Sequence, residues 1–201
     1  MKTLKVKCDS EGIEAAVKTI EKGGTVVFPT DTVYGIGCNP YNENGIKSLY
    51  RIKNRKLSKL FPILGLSKKE LSNIAFFDKR ADKIAEKYWP GDITLVLKLK
   101  DEKLKKLLNL DEKIAVRVPN NKCILSILEK CKLIIGTSAN VSGSKSFNDP
   151  EECFRNISGY DLFVDGGKIV SKGESTVIEI DDAIKVLRQG TISKDEIMEL
   201  F

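Results

Sequence analysis

The sequence predicts an α/β or α+β fold, because strand-like and helix-like segments alternate along most of the chain. Of the 201 residues, 41% are hydrophobic, which is enough to build a substantial core. The chain has no internal repeat, no low-complexity tract and no linker rich in proline and serine. We therefore expect one domain over residues 1–201, a length that single domains commonly reach.

The predicted strands are marked by alternating apolar residues or by β-branched content. They cover residues 4–8, 25–28, 93–99, 114–118, 133–135, 162–164, 175–180 and 184–187. Asp181 and Asp182 separate the last two segments, which indicates a pair of strands joined by a tight turn.

The predicted helices combine an apolar stripe with capping signals. The stripe over residues 13–20 ends at Gly23, a residue that commonly terminates helices. Asp149 precedes a proline that suits the first helical position, and Ser193 with Glu196 forms a capping box. Further helices are expected near residues 46–50, 67–70, 78–89 and 124–128.

The chain has no histidine, and this limits its chemistry. A Ser-His-Asp triad, a Cys-His pair and a histidine general base are all excluded. Any catalysis must rest on other polar side chains, on backbone amides or on a metal that the substrate holds. The net charge of +6 suits RNA and phosphate-rich small molecules equally well.

The five cysteines are scattered and form no C-x-x-C pair, so a zinc site is not expected. We expect them to be free thiols in a reducing compartment. No segment approaches the roughly 20 apolar residues of a membrane span, and the N-terminus lacks the apolar region of a signal peptide. A cytoplasmic protein without membrane association is therefore expected.

Polar residues follow two buried strands, at the strand ends where α/β sheets usually bind ligands. Residues 29–37 combine small polar side chains with an aromatic and two glycines, although an ordinary turn explains that segment equally well. Residues 136–146 carry hydroxyls, an amide and glycines, which suit phosphate or ribose oxygens.

Cations are concentrated after the helix near residue 46. Lys53 lies seven residues after Ile46 on the apolar stripe, where a lysine either snorkels or faces a bound anion. Arg55 and Lys59 follow in a predicted loop, so three cations can converge on one phosphate chain. A solvated basic loop is the alternative, and the glycine pattern of a P-loop is absent.

Arg117 interrupts the apolar strand at residues 114–118. A buried guanidinium needs a partner, and its planar fork suits a carboxylate. That carboxylate belongs either to a ligand or to an Asp or Glu of the protein. Polar clusters at 173–176 and 187–190 also end strands, but each alone indicates a turn rather than a site.

Six motifs in this order resemble the YrdC-type threonylcarbamoyl-AMP synthase family in its short, single-domain form. They are P-T-D-T-V-Y-G at 29–35, K-x-R at 53–55, A-V-R-V-P at 115–119, T-S-A-N-V-S-G at 137–143, E-S-T-V at 174–177 and L-R-Q-G at 187–190. Each motif is weak alone, but the ordered set extends over nearly the whole chain.

The resemblance implies a twisted sheet of parallel and antiparallel strands, flanked by helices, with a large, positively lined central cavity. It implies an L-threonylcarbamoyladenylate synthase, a nucleotidyltransferase that converts L-threonine, bicarbonate or CO2, and ATP into threonylcarbamoyl-AMP and pyrophosphate. Mg2+ would be bound through the ATP phosphates, without metal ligands from the protein. The product would pass to a tRNA threonylcarbamoyltransferase that modifies position 37, and direct RNA binding would be weak.

The resemblance also implies residue roles. Lys53 and Arg55 would be catalytic, because they neutralise phosphate charge where positioning and electrostatics dominate. ATP would contact those two residues and four others, namely Lys59, Asn140, Ser146 and Arg188. L-threonine would be held by Thr32, Arg117, Ser138 and Ser175, with Arg117 on the carboxylate.

Leu60 and Lys145 stand where the family often has proline, so the resemblance does not define the loops that carry Lys59 and Ser146. One alternative is the carbamoyltransferase of hydrogenase maturation, which is far longer and has zinc-binding and acylphosphatase-like parts. The other is an RNA-binding module that uses the basic cavity without catalysis. The chain has no run of basic residues interleaved with aromatics that would favour it.

Overall fold

The computed structural model describes residues 4–55, 61–171 and 173–201, so the predicted site residue Lys59 lies outside the described residues. The described strands form two sheets. The first sheet has the order β1 (Leu4–Lys7), β9 (Leu162–Asp165), β2 (Val26–Phe28), β3 (Gly35–Gly37) and β8 (Thr137–Ser138). The second has the order β11 (Ile184–Arg188), β10 (Thr176–Ile180), β5 (Ile93–Lys98), β6 (Lys113–Arg117), β4 (Ile63–Gly65) and β7 (Leu133–Ile135).

Both sheets mix parallel and antiparallel pairs, which confirms the predicted mixed α/β class. In the first sheet β1 and β2 run parallel to β9, whereas β3 is antiparallel to β2 and β8. In the second sheet β10 is parallel to β5 and β4 to β6, while β5 and β6 are antiparallel. The strands are thus divided between two sheets, where the sequence predicts one.

The helices of the described residues begin at side-chain caps in most cases. Asp149 accepts backbone hydrogen bonds from Glu151 and Glu152, and Ser193 forms the predicted capping box with Glu196. The helices are α1 (Ser10–Glu21), α2 (Glu43–Lys53), α3 (Lys68–Leu71), α4 (Lys79–Tyr88), α5 (Glu102–Leu107), α6 (Lys122–Cys131), α7 (Pro150–Asn156) and α8 (Lys194–Met198).

Helices α1 and α6 cover one face of the first sheet. Ile20 of α1 and Ile124 of α6 pack in one buried cluster with Val26 and Leu162 of the sheet. A larger cluster joins the second sheet to the remaining helices. Within the ranges that the structure describes, no helix is long and apolar enough to cross a membrane.

The chain passes from one sheet to the other at Gly136, the single residue between β7 and β8. The crossing is tight, because a Cβ atom on Gly37 would lie 1.7 Å from the Ile135 carbonyl oxygen. Ile135 also donates its backbone N–H to the Cys38 carbonyl at 2.9 Å. Glycine is therefore required at position 37, and the motif at 137–143 begins where the two sheets meet.

The expectation of five free thiols is wrong for two cysteines. Cys8 and Cys123 form a disulfide that joins the start of α1 to the start of α6. Packing of α1 on α6 brings these residues together although 115 positions separate them in the chain, a proximity that no local pattern predicts. The other three cysteines, Cys38, Cys131 and Cys153, are free.

Candidate functional site

A cavity of about 960 Å³ is lined by residues of both sheets. Its volume lies at the upper end of the roughly 300–1,000 Å³ that is typical of small-molecule sites. Its charged lining residues are Arg55, Lys113, Arg117, Arg188, Asp111, Glu112, Glu174 and Glu179. Among the described residues the lining therefore carries four basic and four acidic side chains, and the predicted excess of positive charge does not appear there.

Six of the predicted site residues line this cavity, namely Thr32, Arg55, Arg117, Ser138, Ser175 and Arg188. They come from distant parts of the chain and from both sheets, so the fold brings them together. Lys53, Asn140 and Ser146 are not lining residues, but each is hydrogen-bonded to one of them or to a neighbouring lining residue.

The Thr30–Thr32 segment is held by its own hydrogen bonds. The Thr30 hydroxyl donates to the Val33 carbonyl at 2.6 Å and accepts from the Thr32 and Val33 backbone N–H groups at 3.1 and 3.2 Å. This is the ordinary turn that the residue types allow. The turn also places Thr30 and Thr32 in the cavity wall, so the two interpretations of the segment do not exclude each other.

Arg117 is buried beside protein carboxylates. Its Nη2 atom lies 2.8 Å from Asp31 Oδ1 and 3.8 Å from Asp92 Oδ1. Its Nε and Nη1 groups donate to the Gly91 carbonyl at 2.9 Å and to the Thr32 hydroxyl at 3.1 Å. The predicted alternative of an ion pair with the protein is thus present, and Asp31 holds a guanidinium that also lines the cavity.

The two carboxyl groups behind Arg117 interact with each other. Burial raises the pKa of Asp92, and the neighbouring Asp31 carboxylate raises it further. Asp31 and Asp92 do not line the cavity, whereas Arg117 does. The acidic pair therefore fixes the position of a guanidinium that is itself part of the cavity wall.

Lys53 is 1% exposed, as its place on the apolar stripe predicts. Its ammonium donates to the Asn140 carbonyl at 2.9 Å, to the Asn140 Oδ1 atom at 3.1 Å and to the Ser138 carbonyl. Burial lowers the pKa of Lys53 to about 8, and the nearby Arg55 contributes to that shift. Lys53 therefore ties α2 to the loop that starts at β8, and its three N–H donors already have acceptors.

Asn140 completes this connection. Its Oδ1 atom also accepts from the Ser138 hydroxyl at 2.7 Å, and its Nδ2 group donates to the Ser144 carbonyl. The Asn140 side chain thus joins Ser138 and Ser144 within the loop and connects the loop to Lys53. The loop presents the Ser138 side chain to the cavity.

Arg188 extends from β11 along the end of β10. Its Nε and Nη2 groups donate to the Ser175 carbonyl at 3.2 and 2.9 Å, and Nη1 forms an ion pair with Glu174. The Ser175 hydroxyl lies 2.9 Å from the Thr94 hydroxyl on β5. This corner of the cavity thus combines a guanidinium, a carboxylate and two buried hydroxyls.

Arg55 follows α2 and lines the cavity. Its guanidinium carbon lies 4.9 Å from the centroid of the Phe61 ring, a cation–π contact. Burial lowers the pKa of Arg55, and the positive charge of Arg188 lowers it further. Arg55 and Arg188 thus line the same cavity and their charges interact.

Among the lining residues that are absent from the predicted site, Thr94 and Glu174 contact predicted site residues through their side chains. Thr94 is a buried hydroxyl in an otherwise apolar strand, the same signal that identifies Arg117. Glu174 belongs to the E-S-T-V motif and carries a charge directly before β10. Both could have been found by asking which polar residues interrupt or precede buried strands.

The arrangement suits two kinds of ligand group at once. Guanidinium groups of Arg55 and Arg188 suit a phosphate chain, since charge-assisted hydrogen bonds to phosphate are strong. The cavity wall also carries the guanidinium of Arg117 and the hydroxyls of Thr32, Ser138 and Ser175, which suit a small polar molecule.

Comparison with known proteins identifies relatives over most of the chain. The family model for Sua5, YciO and YrdC proteins, described as telomere recombination, matches residues 18–190. A putative threonylcarbamoyl-AMP synthase of Methanocaldococcus jannaschii is 34% identical over 184 residues, which are 90% of this chain and 86% of that protein.

Solved structures share the fold. The structure of Pyrococcus abyssi Sua5 complexed with L-threonine has a TM-score of 0.89 and 30% identity, over 98% of this chain and 59% of that chain. Escherichia coli YciO has a TM-score of 0.86 and 29% identity, over 98% of both chains. This chain thus spans 59% of the length of the Pyrococcus protein and almost the full length of YciO.

The family match covers every predicted site residue, from Thr32 to Arg188. The structural match to Pyrococcus abyssi Sua5, the sequence match to the Methanocaldococcus protein and the residues that line the cavity all lie in the same part of the chain. The chain belongs to the Sua5/YciO/YrdC family.

Proposed function

We propose that this chain, as one domain over residues 1–201, is an L-threonylcarbamoyladenylate synthase that uses L-threonine, bicarbonate or CO2, and ATP. One observation carries the proposal. Six predicted substrate-binding residues, spread from position 32 to position 188, line a single cavity. A relative whose structure contains L-threonine and a relative named as a putative synthase of this kind support the assignment.

In the proposed reaction the amine of L-threonine adds CO2 and becomes a carbamate. A carbamate oxygen then attacks the α-phosphorus of ATP, and pyrophosphate leaves. Such a reaction needs aligned substrates and compensated charge more than a tuned side-chain base, which agrees with the absence of histidine.

The cavity offers a place for each substrate. Thr32, Ser138 and Ser175 would bind the amino acid, and Arg117 would bind its carboxylate by exchanging one of its present contacts, such as the one to the Thr32 hydroxyl. Arg55 and Arg188 would bind the ATP phosphates directly. Lys53 would contribute positive charge from behind the loop, because its donors already bond to Ser138 and Asn140.

Asn140 and Ser146 would reach the nucleotide only after exchanging the bonds that they now make within the protein. Lys59 is proposed as a further phosphate ligand on the strength of the motif alone. Mg2+ would accompany the phosphates and offset their charge. Among the described residues no group of three His, Cys, Asp or Glu side chains could hold a metal ion, so the ATP phosphates would supply its main ligands.

The product would be consumed by a tRNA threonylcarbamoyltransferase in the cytoplasm. The rival function, RNA binding without catalysis, is not favoured, because the described lining of the cavity carries as many acidic as basic side chains. A sequence-independent RNA site requires a surplus of cations.

The test is pyrophosphate release from ATP, measured with L-threonine and bicarbonate each left out in turn. We expect release only in the complete mixture. Release that is absent, or that does not depend on L-threonine, would refute the proposal.

Arg117→Ala tests the amino-acid site in the same assay. We expect it to lower kcat/KM for L-threonine. The loss should correspond to about 2–4 kcal/mol of transition-state stabilisation, the effect of a lost charge-assisted pair. Lys113→Ala is the matched control, since Lys113 lines the same cavity from the same strand but pairs with Glu179 and Asp181. An equal loss in both variants would contradict a specific role for Arg117, and thermal unfolding shows whether either variant is misfolded.

A further inference from the structure

We propose that Glu174 is a positioning residue that competes with the phosphates of the nucleotide: its carboxylate occupies Arg188 and Ser146, and a phosphate reaches these residues only by displacing it. The inference rests on the proposed function, because it concerns the nucleotide part of the same cavity.

A single carboxylate holds both of these predicted ATP ligands. Glu174 Oε1 accepts a hydrogen bond from the Ser146 hydroxyl, and Oε2 pairs with Arg188 Nη1. A phosphate group offers the same kind of oxygen acceptors at a similar spacing, with more negative charge. The carboxylate thus makes the contacts that a phosphate would make.

Arg188 is held in place by other contacts. Three hydrogen bonds join its Nε and Nη2 groups to the Ser175 carbonyl and hydroxyl, at 3.2, 2.9 and 3.2 Å. Only the Nη1 edge is bound to Glu174. An anion can therefore replace Glu174 at this edge while the guanidinium stays where β10 and β11 hold it.

The surrounding charges favour a more highly charged anion than one carboxylate. Burial and the positive charge of Arg188 lower the pKa of the half-buried Arg55, and Glu174 partly opposes the lowering of the Lys53 pKa by burial and Arg55. The charges of Lys53, Arg55 and Arg188 therefore interact with one another or with Glu174, and Arg188 contacts Glu174 directly. A phosphate chain satisfies these cations better than Glu174 does, since Coulomb attraction grows with the ligand's charge.

The Glu174 side chain is 29% exposed and lines the cavity, so it has solvent to move into when it is displaced. Before β10 begins at Thr176, Glu174 belongs to no helix or strand. Displacement of the Glu174 side chain therefore breaks no hydrogen bond between strands. A nucleotide must break the Glu174–Arg188 ion pair in order to bind. The free energy of breaking it lowers the affinity for the nucleotide and favours ligands that carry several phosphate groups.

Glu174→Gln tests this competition, because it removes the charge and keeps the size of the side chain. The probes are ATP and inorganic triphosphate, each titrated calorimetrically without L-threonine or bicarbonate. We expect both to bind about three- to tenfold more tightly to the variant, the range of a partly exposed ion pair. Glu179→Gln is the matched control, since Glu179 also lines the cavity but lies 3.3 Å from Lys113.

The control should leave both dissociation constants within about twofold of those of the unmodified protein. Unchanged or weaker binding to Glu174→Gln would overturn the inference, and so would equal tightening in the two variants, which indicates a general charge effect. If the unmodified protein binds no ATP, the proposed function fails as well. If it binds ATP and Glu174→Gln has no effect, only the competition is refuted.

Thermal unfolding verifies that both variants are folded. If Glu174→Gln is not folded, Glu174→Asp replaces it, because the shorter carboxylate cannot span Ser146 and Arg188 together. Tighter binding of both probes is again expected. Binding equal to that of the unmodified protein would overturn the inference.

Discussion

At the scale of single residues, Lys53 illustrates how a buried charge is accommodated. The apolar stripe predicts its burial, but the ammonium neither snorkels to solvent nor lies in the cavity wall. It is satisfied by acceptors on Ser138 and Asn140, which lie more than 80 positions away in the chain. The stripe identifies the residue, whereas only the fold identifies its partners.

For Arg117, too, the sequence pattern identifies the residue but not its partner. Its interruption of an apolar strand predicts a buried guanidinium with a carboxylate partner, and that prediction is confirmed. The identity of the partner, Asp31, could not be predicted, because the pair forms between strand β6 and a turn 86 positions earlier. Sequence patterns show which residue is out of place but not what lies across from it.

The lowered pKa of Lys53 leads to a prediction for activity. Lys53 is charged below about pH 8 and neutral above it, since burial holds its pKa near that value. We therefore expect kcat/KM for ATP to fall as pH rises through about 8, because neutral Lys53 no longer opposes phosphate charge. Bound phosphates raise the pKa of Lys53, so the decline in kcat should occur at higher pH.

Pyrophosphate release across the alkaline range provides the measurement. Lys53→Arg keeps a positive charge throughout that range and should remove the decline, whereas Lys113→Arg should leave it in place. A profile that is flat from pH 7 to 10 would show that the charge on Lys53 is not needed.

At the scale of elements, the crossing between sheets shows where sequence patterns fail. Strands β3, β4 and β8 are two or three residues long, and two of them contain glycine, so they lack the alternation that predicts strands. Longer strands such as β5 and β6 are predicted to within one residue at each end. Helix α5, six residues long, is likewise too short for a clear apolar stripe.

Gly37→Ala tests the importance of this crossing. A Cβ atom would lie 1.7 Å from the Ile135 carbonyl, so backbone must move, and we expect a loss of about 3 kcal/mol or more in unfolding free energy. Urea denaturation measures it. Gly143→Ala is the control: it has no neighbour within 4 Å, but its φ of +88° should cost about 1–2 kcal/mol. If both variants lost the same unfolding free energy, the contact between position 37 and the Ile135 carbonyl would cost no more than the backbone strain of alanine at a positive φ.

At the scale of the whole molecule, the sequence predicts the mixed α/β class but not the division into two sheets. Strand content is a local property, whereas strand partners depend on contacts such as β1 with β9, which pairs Leu4 with Leu162 across most of the chain. The cavity follows from that division, because residues of both sheets line it. Local patterns thus single out the candidate residues one by one, whereas their common location in a cavity was implied only by the family resemblance.

The Cys8–Cys123 disulfide should contribute to global stability, since it closes a span of 115 residues. We expect reduction, or Cys8→Ser, to lower the unfolding free energy by about 2–5 kcal/mol. Cys131→Ser is the control, because Cys131 is a free, half-buried thiol. Alkylation of the unreduced, denatured protein followed by mass spectrometry should modify three cysteines; modification of all five would show that the bond does not form.

Strand β11 lies at the edge of the second sheet, paired only with β10 among the described strands, and it supplies Arg188 to the cavity. Leu187 of the same strand also lines the cavity, and all the remaining lining residues precede β11 in the chain. During synthesis, the ribosome therefore releases nearly all of the buried core before it releases the last wall of the cavity. A nascent chain can collapse around most of its apolar residues before it carries Arg188, one of the residues proposed to bind the ATP phosphates. A protease that removed β11 would take the same residue from the finished molecule.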